Sequence, residues 1–414
     1  MDDNDRSIVG FVMAGHAMVH IYELSIPILM TVWLLEFSTT TAVLGTAVAV
    51  GYGLFGVGAL PGGLLVDRFG SRRLISLCLA GMGVSFLILS VSPGIVGITA
   101  AIAIWGAAAS VYHPAGLTLI SNGVRDRGRG FAYHGMAGNV GIAAGPLVTA
   151  LLLLVFPWET VVVILAIPAL IAAVAGLSIE FDPTAAVEVT DGGQKRQPPS
   201  SLSEFFAETR QLFTVGFALV FVIVAFNGLY YRGVVTFLPE LLGDFLTATI
   251  GDARLGLFDP DSPMAEEFDL AQYLYVALLM VGIGGQYLGG RLTEYIEPDR
   301  GMLLVLVFLT TFALLFVPAA ETGLWGLLVV GALLGFALFV MQPLSQATIA
   351  KYSLVGSRGL SFGYTYLATF GVGALGAAII GTVRTYGSMS AVFLALAAFS
   401  TLAGTFAVIL VTRD

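Results

Sequence analysis

Charge is what this 414-residue sequence has least of, with Asp, Glu, Lys and Arg together making 11% of it. A soluble domain devotes roughly a quarter of its residues to charge, and 18 basic plus 27 acidic side chains cannot coat a chain this long. That shortage excludes a soluble enzyme, a nucleic-acid-binding module and a disordered chain. Cysteine occurs once, as Cys78 inside an apolar run, which excludes an intramolecular disulfide and a cysteine-based metal site. Lysine occurs only at 195 and 351, and net charge is −9, a balance that suits a solvent face bathed in high salt. The start, Met1-Asp2-Asp3-Asn4-Asp5-Arg6, lacks the positive region and cleavage site of a signal peptide, so the first apolar run is expected to be retained. Phosphate-binding loops and nucleophile–base motifs are also missing. Gly371-x-Gly373-x-x-Gly376 sits inside an apolar run with no strand before it, so it is no dinucleotide fingerprint. No cofactor is expected, and any work must be driven by an ion gradient or the substrate's own gradient.

What is present is hydrophobic: 57% of residues, with a mean hydropathy of +0.93. A helix needs about 20 apolar residues to cross the hydrocarbon core, where an unpaired backbone is not tolerated. Divided at charge and Pro/Gly clusters, the chain holds twelve such runs: 8–36, 41–66, 74–92, 96–121, 130–156, 159–179, 212–238, 271–293, 301–318, 323–350, 359–383 and 388–411. The expected fold class is an all-α membrane protein of twelve transmembrane helices in two six-helix bundles. Residues 1–180 form the first bundle, 181–210 a cytoplasmic linker and 211–414 the second bundle. In the linker, Ser201-x-x-Glu204 before Phe205-Phe206 is a capping box that opens a short interfacial helix. The stretch 239–270 is acidic, and Pro239 is expected to end the seventh helix.

Basic residues set the orientation. Arg68, Arg72 and Arg73, then Arg125, Arg127 and Arg129, then Arg300, Lys351 and Arg358 all fall on one side if the chain crosses twelve times. The acidic stretch, Glu36 and Glu159 fall on the other, with Trp33, Trp158 and Trp325 as an interfacial belt. A multi-pass protein of the plasma membrane with both termini cytoplasmic is expected.

The two halves repeat. Gly62-Gly63-Leu64-Leu65-Val66-Asp67 recurs as Gly289-Gly290-Arg291-Leu292-Thr293-Glu294, each with an Arg ten residues after its second Gly. Pro114 recurs as Pro343, each followed fifteen residues on by Arg-Gly, at Arg129 and Arg358. Phe131-x-Tyr133 matches Phe362-x-Tyr364, and Gly145 matches Gly376. Matches in one order at nearly one offset imply a parallel repeat of six-helix bundles, with a substrate cavity between them near the midplane.

The segment Gly63-Leu64-Leu65-Val66-Asp67-Arg68-Phe69-Gly70-Ser71-Arg72-Arg73 resembles the signature loop of the major facilitator superfamily, departing at Ser71 where a basic residue is usual. Within that superfamily the sequence is most similar to fosmidomycin-resistance-type efflux proteins. The similarity lies in His16, Tyr22 and Pro27, in Tyr112-His113-Pro114 with Gly116, and in Arg129-Gly130, Gly138-Asn139 and Gly145-Pro146. Two departures are His20, where those relatives carry an acidic residue, and the absence of an Arg from the fourth run. The resemblance implies a secondary transporter working by alternating access, and not an enzyme. It also implies that Asp67, Arg68 and Arg72 latch the halves together, with Arg129 as partner and Glu294 and Arg358 as a weaker copy. Ordinary positive-inside charge is the plainer alternative.

The charges left inside the membrane mark the candidate site. His16, His20 and Glu23 are spaced four and three apart on one face of the first helix, a stripe fit for proton coupling together with His113 and His134. Hydrogen bonding between packed helices is the alternative for each histidine. A metal site on His16 and His20 has only Glu23 as a further ligand, so no metal is expected. Arg232 is a cation inside the seventh run, placed to attract an anionic group, to pair with Glu23, or to snorkel outward. Tyr22, Asn139, Asn227, Tyr231, Gln342 and Gln346 complete the expected cavity lining, with helix packing as the alternative for the glutamines. Gly141, Gly145 and Pro146 form a shortened version of the antiporter motif, which tight packing alone also explains.

The leading expectation is proton-coupled efflux of a small organic compound. Uptake by symport or uniport, for instance of an organic anion, is the alternative, and a non-transporting receptor or membrane-embedded enzyme the third. Expected partners are the small-molecule substrate, protons and the lipid bilayer, with no nucleic acid, and the chain is expected to be a monomer.

Overall fold

A computed structural model describes residues 1–186, 202–250, 270–353 and 358–413. Its helices are α1 (Asp3–Glu36), α2 (Thr41–Phe69), α3 (Ser71–Ser90), α4 (Ile95–Ala109), α5 (Tyr112–Gly123), α6 (Arg127–Leu153) and α7 (Trp158–Ser178). There follow α8 (Leu202–Leu212), α9 (Val215–Ile250), α10 (Leu270–Leu292), α11 (Pro298–Glu321), α12 (Leu324–Tyr352), α13 (Arg358–Tyr366), α14 (Leu375–Tyr386) and α15 (Met389–Arg413). The described residues contain twelve helical segments long and apolar enough to span a membrane, and no strand. The fourth span is α4 with α5, and the eleventh is α13 and α14 joined by a π-helical stretch, Leu367–Val372.

The spans depart from the sequence expectations where proline and glycine act. Pro114 has no N–H and its ring crowds the carbonyl one turn back, so the fourth run breaks at Ser110–Val111. The seventh helix does not end at Pro239 but continues to Ile250. The carbonyl of Val235 that Pro239 frees accepts the Tyr275 hydroxyl of α10 at 3.0 Å, so nothing forces a stop. The same device recurs in the first half: Pro27 frees the carbonyl of Glu23, and the Tyr52 hydroxyl of α2 donates to it at 2.8 Å.

In the linker, Ser201 lies outside the described residues, while α8 is present and amphipathic. Its Thr209 hydroxyl meets the Tyr364 hydroxyl of α13 at 2.9 Å. Most of the acidic stretch lies outside the described residues. Its Glu240 and Asp244 sit on α9 and bind Arg384 of α14. Trp33 and Trp158 do not form the expected belt: both are buried and pack edge to face at 5.9 Å, filling space between α1 and α7. Trp325 is exposed.

The bundle has two ends, a terminal end where the chain starts and a far end where α1 turns into α2. At the far end the halves are sealed. Thr41 of α2 bonds the Gly381 carbonyl and the Thr385 hydroxyl of α14, and Gln272 of α10 donates to Thr31 of α1. Deeper along α2, Gly45 lies against the Ala377 carbonyl and Gly56 against the backbone of Phe370–Gly371, leaving no room for a Cβ at either position. At the terminal end a cleft of about 430 Å³ opens between α1 and α6, lined in part by Arg6, Met13, Arg129 and Tyr133.

Candidate functional site

The site begins with α1. Its helical register brings His16, His20 and Glu23 to one face, and α6 packs closely on that face because glycine replaces a side chain there. Gly138 lies under the His16 ring, Gly141 against Ala17 and His20, and Gly145 against Ile21. This is the role the structure gives the glycines expected as an antiporter motif; Pro146 sits within the unbroken α6.

His16 Nδ1 lies 2.7 Å from the His134 backbone carbonyl, and the His16 and His134 rings stack at 3.8 Å. His20 Nδ1 lies 2.8 Å from Glu23 Oε2. The other carboxylate oxygen, Glu23 Oε1, accepts from Arg232 Nη2 of α9 at 2.6 Å. Both side chains of that ion pair are 1% exposed, and Tyr52 caps the guanidinium with its ring 3.5 Å away. Removing one partner of a buried pair strands a charge, so Glu23 and Arg232 hold each other ionised. Arg232 therefore does not snorkel; it joins the two halves through Glu23.

Those bonds fix two tautomers. A backbone carbonyl and an ionised carboxylate only accept, so Nδ1 carries the hydrogen in both His16 and His20. Their Nε2 atoms face each other at 3.1 Å. In these tautomers the two neutral rings point their lone pairs at each other.

Helix α5 adds the next layer. The break at Ser110–Val111 sets Tyr112 and His113 on its first turn. The Tyr112 ring stacks on His16 at 5.6 Å, and its hydroxyl donates to the Val12 carbonyl. His113 packs edge-on against His16 at 5.2 Å and stacks on Tyr366 of α13 at 5.1 Å. Its Nε2 is buried with no hydrogen-bond partner, as are His134 Nε2, Arg232 Nη1 and Asn227 Oδ1.

Equivalent positions of the halves meet at Glu23. Counting back from the prolines that share the tyrosine device, His20 stands seven residues before Pro27, and Arg232 seven before Pro239. One carboxylate thus joins the basic residue of each half, through Oε2 to His20 and Oε1 to Arg232.

Of the other expected residues, Tyr231 stays at the site with its ring 5.7 Å from the Arg232 guanidinium, and the rest have different surroundings. Tyr22 is buried against Phe86 and donates to the Leu165 carbonyl at 3.0 Å, which makes it part of the first half's core. Tyr231 packs against Phe339, and Asn139 is half-buried on α6. Gln342 accepts from Gln286 at 2.9 Å within the second half, and Gln346 is exposed.

In the signature loop, the side chains of Asp67 and Arg358 lie outside the described residues. Gly63 borders open space and Arg68 lies over Phe69. Arg72 binds the Gly176 carbonyl at 2.9 Å and that of Leu177, at the end of α7. Arg129 pairs with Asp126 at 3.5 Å and Glu294 with Arg291 at 2.9 Å. The contacts seen for these side chains stay inside one half. Sequence reasoning missed Tyr52, whose hydroxyl and ring serve both members of the central pair; the spacing of Pro27 from Glu23 is the signal that was available.

No curated protein sequence matches the chain. Among solved structures it is similar to a bacterial homolog of the human lysosomal transporter Spinster in an inward-facing and occupied conformation. Identity is 15%, coverage is 100% of this chain and 98% of that one, and the TM-score is 0.71. The inward-facing, unoccupied form of such a homolog gives 16% identity, 100% and 96% coverage, and a TM-score of 0.70. A mutant of the nucleoside transporter NupG gives 15%, 98% and 99%, and 0.74. These likenesses establish the fold. The family model described as Major Facilitator Superfamily matches residues 9–258, well over half of the chain. With twelve spans among its described residues and that match, the chain belongs to the major facilitator superfamily of transporters.

Proposed function

We propose that this transporter exports a small organic compound in exchange for protons. The observation that carries the reading is Glu23, held at once by His20 of its own half and Arg232 of the other. A proton that reaches this carboxylate from the terminal-end cleft weakens its hold on Arg232. The halves are then freed at the midplane, as alternating access requires. The resemblance to fosmidomycin-resistance-type efflux proteins supports the outward direction, and the basic loops support cytoplasmic termini in a plasma-membrane protein. In this reading the far end is the outer face. Asp67, Arg68, Arg72 and Arg129, with Glu294 and Arg358, form the latch of the opposite state, when the terminal end closes.

The test is made in inverted membrane vesicles with an imposed proton gradient. Substrate-induced collapse of the gradient, lost in Glu23→Gln, is the expected result. No collapse across a broad compound panel sinks the reading. One observation favours a second reading, uptake of an organic anion: Arg232 Nη1 is buried with no partner and is a ready donor for a carboxylate or phosphonate. Competition of such anions with one another, and stimulation of uptake by an inward proton gradient, would select it.

A further inference from the structure

We infer that His16, His20 and His113 form a site for a divalent transition metal of the zinc class. A ring nitrogen from each lies within 4.8 Å of the other two. The sequence suggested only His16, His20 and Glu23; the break before α5 supplies the third imidazole and moves Glu23 to a different role.

Three features of a built metal site are present. First, donor nitrogens are free of other partners. His16 and His20 have their Nδ1 hydrogens committed to the His134 carbonyl and the Glu23 carboxylate, which leaves both Nε2 lone pairs facing one point 3.1 Å across. His113 Nε2 is buried and unpartnered. Second, the spacing suits the ion. Zinc bound at ~2.0–2.1 Å in tetrahedral geometry separates its nitrogens by about 3.3–3.4 Å. The His16–His20 pair is therefore close to its final position, while His113 needs an inward shift of roughly 1.4 Å. Third, the outer shell is in place. Glu23–His20–metal is the carboxylate–histidine–metal arrangement that orients the ring and raises its basicity. Arg232, anchored on the other carboxylate oxygen, holds that shell from the second half.

Three protein ligands leave a fourth position for water or a substrate heteroatom. A metal at this point takes the lone pairs that a shared proton would otherwise hold. The inference rests on coordination geometry alone and is independent of the direction of transport.

The test uses the full chain, purified in detergent and stripped with a chelator, titrated with Co²⁺ and then back-titrated with Zn²⁺. Wild type is expected to bind one Co²⁺ per chain with the visible absorption of tetrahedral cobalt, and Zn²⁺ to displace it. His16→Gln, His20→Gln and His113→Phe should each weaken binding at least 100-fold. His113→Phe keeps a ring stacked on Tyr366, and thermal unfolding of each variant shows that packing survives. Glu23→Gln should weaken binding by about 10–100-fold while keeping the spectrum. His134→Phe retains the backbone carbonyl that orients His16 and should bind as wild type. No cobalt spectrum in wild type, or binding indifferent to His20 and His113, overturns the inference. Equal loss in His134→Phe overturns the ligand assignment. Proton coupling is not measured in this titration, so a failed transport reading and a failed metal site remain distinguishable.

Discussion

The first half and the second half share a scaffold and divide the chemistry. Each leads with a helix that runs on through a proline, and in each a tyrosine of the next helix bonds the carbonyl that the proline frees: Tyr52 on Glu23, Tyr275 on Val235. Around that common frame the first half places all four histidines and one carboxylate, whereas the second places Arg232. Side chains at corresponding places relative to Pro27 and Pro239 are complementary across the two halves. A fixed cation on one side and a titratable ring on the other share one carboxylate, so an event in the first half is felt in the second.

The comparison breaks most severely at the shared carboxylate. Arg232→Met or Glu23→Gln alone should destabilise the protein by about 3–5 kcal/mol, because each strands a buried charge. The double variant should recover most of that loss, and thermal unfolding in detergent reads both. If the double variant is as unstable as the sum of the singles, the pair is not an isolated unit.

Less severe is removal of the proline-associated hydroxyls. Tyr52→Phe and Tyr275→Phe each leave a carbonyl unpaired and should cost roughly 1–3 kcal/mol. Similar losses would establish that the halves use one device. Neither should matter once Pro27 or Pro239 is replaced by Ala, which restores an N–H to the freed carbonyl.

The seam between the halves offers a third measure. Gly56→Ala drives a Cβ into the Phe370–Gly371 backbone and should cost about 1–3 kcal/mol as overpacking. The far end should loosen, and a Thr385→Cys reporter should label faster. Cys78 is buried and leaves such a reporter clean. The smallest effect is expected at an exposed surface pair: Arg291→Ala loses contacts with Glu294 and Tyr295, and the ion pair among them is worth under ~1 kcal/mol by thermal unfolding.

Much of this was legible in the sequence. Length and apolarity alone define twelve spans, and the loop matches define the repeat. The stripe His16, His20, Glu23 follows from helical spacing, and its pairing with Arg232 was one of three readings open for that cation. What spacing could not supply was the company the stripe keeps. His113 meets His16 across two helices, and no spacing within one run shows which residues of another face it. The eleventh run likewise hides a π-helical turn, beside which glycines of α2 and α9 sit: Gly56 against Gly371 and Gly228 against Gly373. Pro239 read as a terminator because proline usually ends helices, and the sequence does not show that Tyr275 waits on the next one.

The far-end seam has a consequence for ionic strength. It is made of hydroxyls, backbone carbonyls and glycine faces, with Thr41, Gly45 and Gly56 of one half meeting Thr385, Ala377 and Gly371 of the other. Mobile ions screen exposed charges within about a Debye length, roughly 3 Å at 1 M, but leave van der Waals contacts and neutral hydrogen bonds untouched. The terminal end carries exposed ion pairs such as Arg125–Asp2 and Arg129–Asp126, which brine weakens. Concentrated electrolyte therefore weakens the exposed pairs of the terminal end, and at the far end those of Arg384 with Glu240 and Asp244, but leaves the neutral contacts between the halves in place.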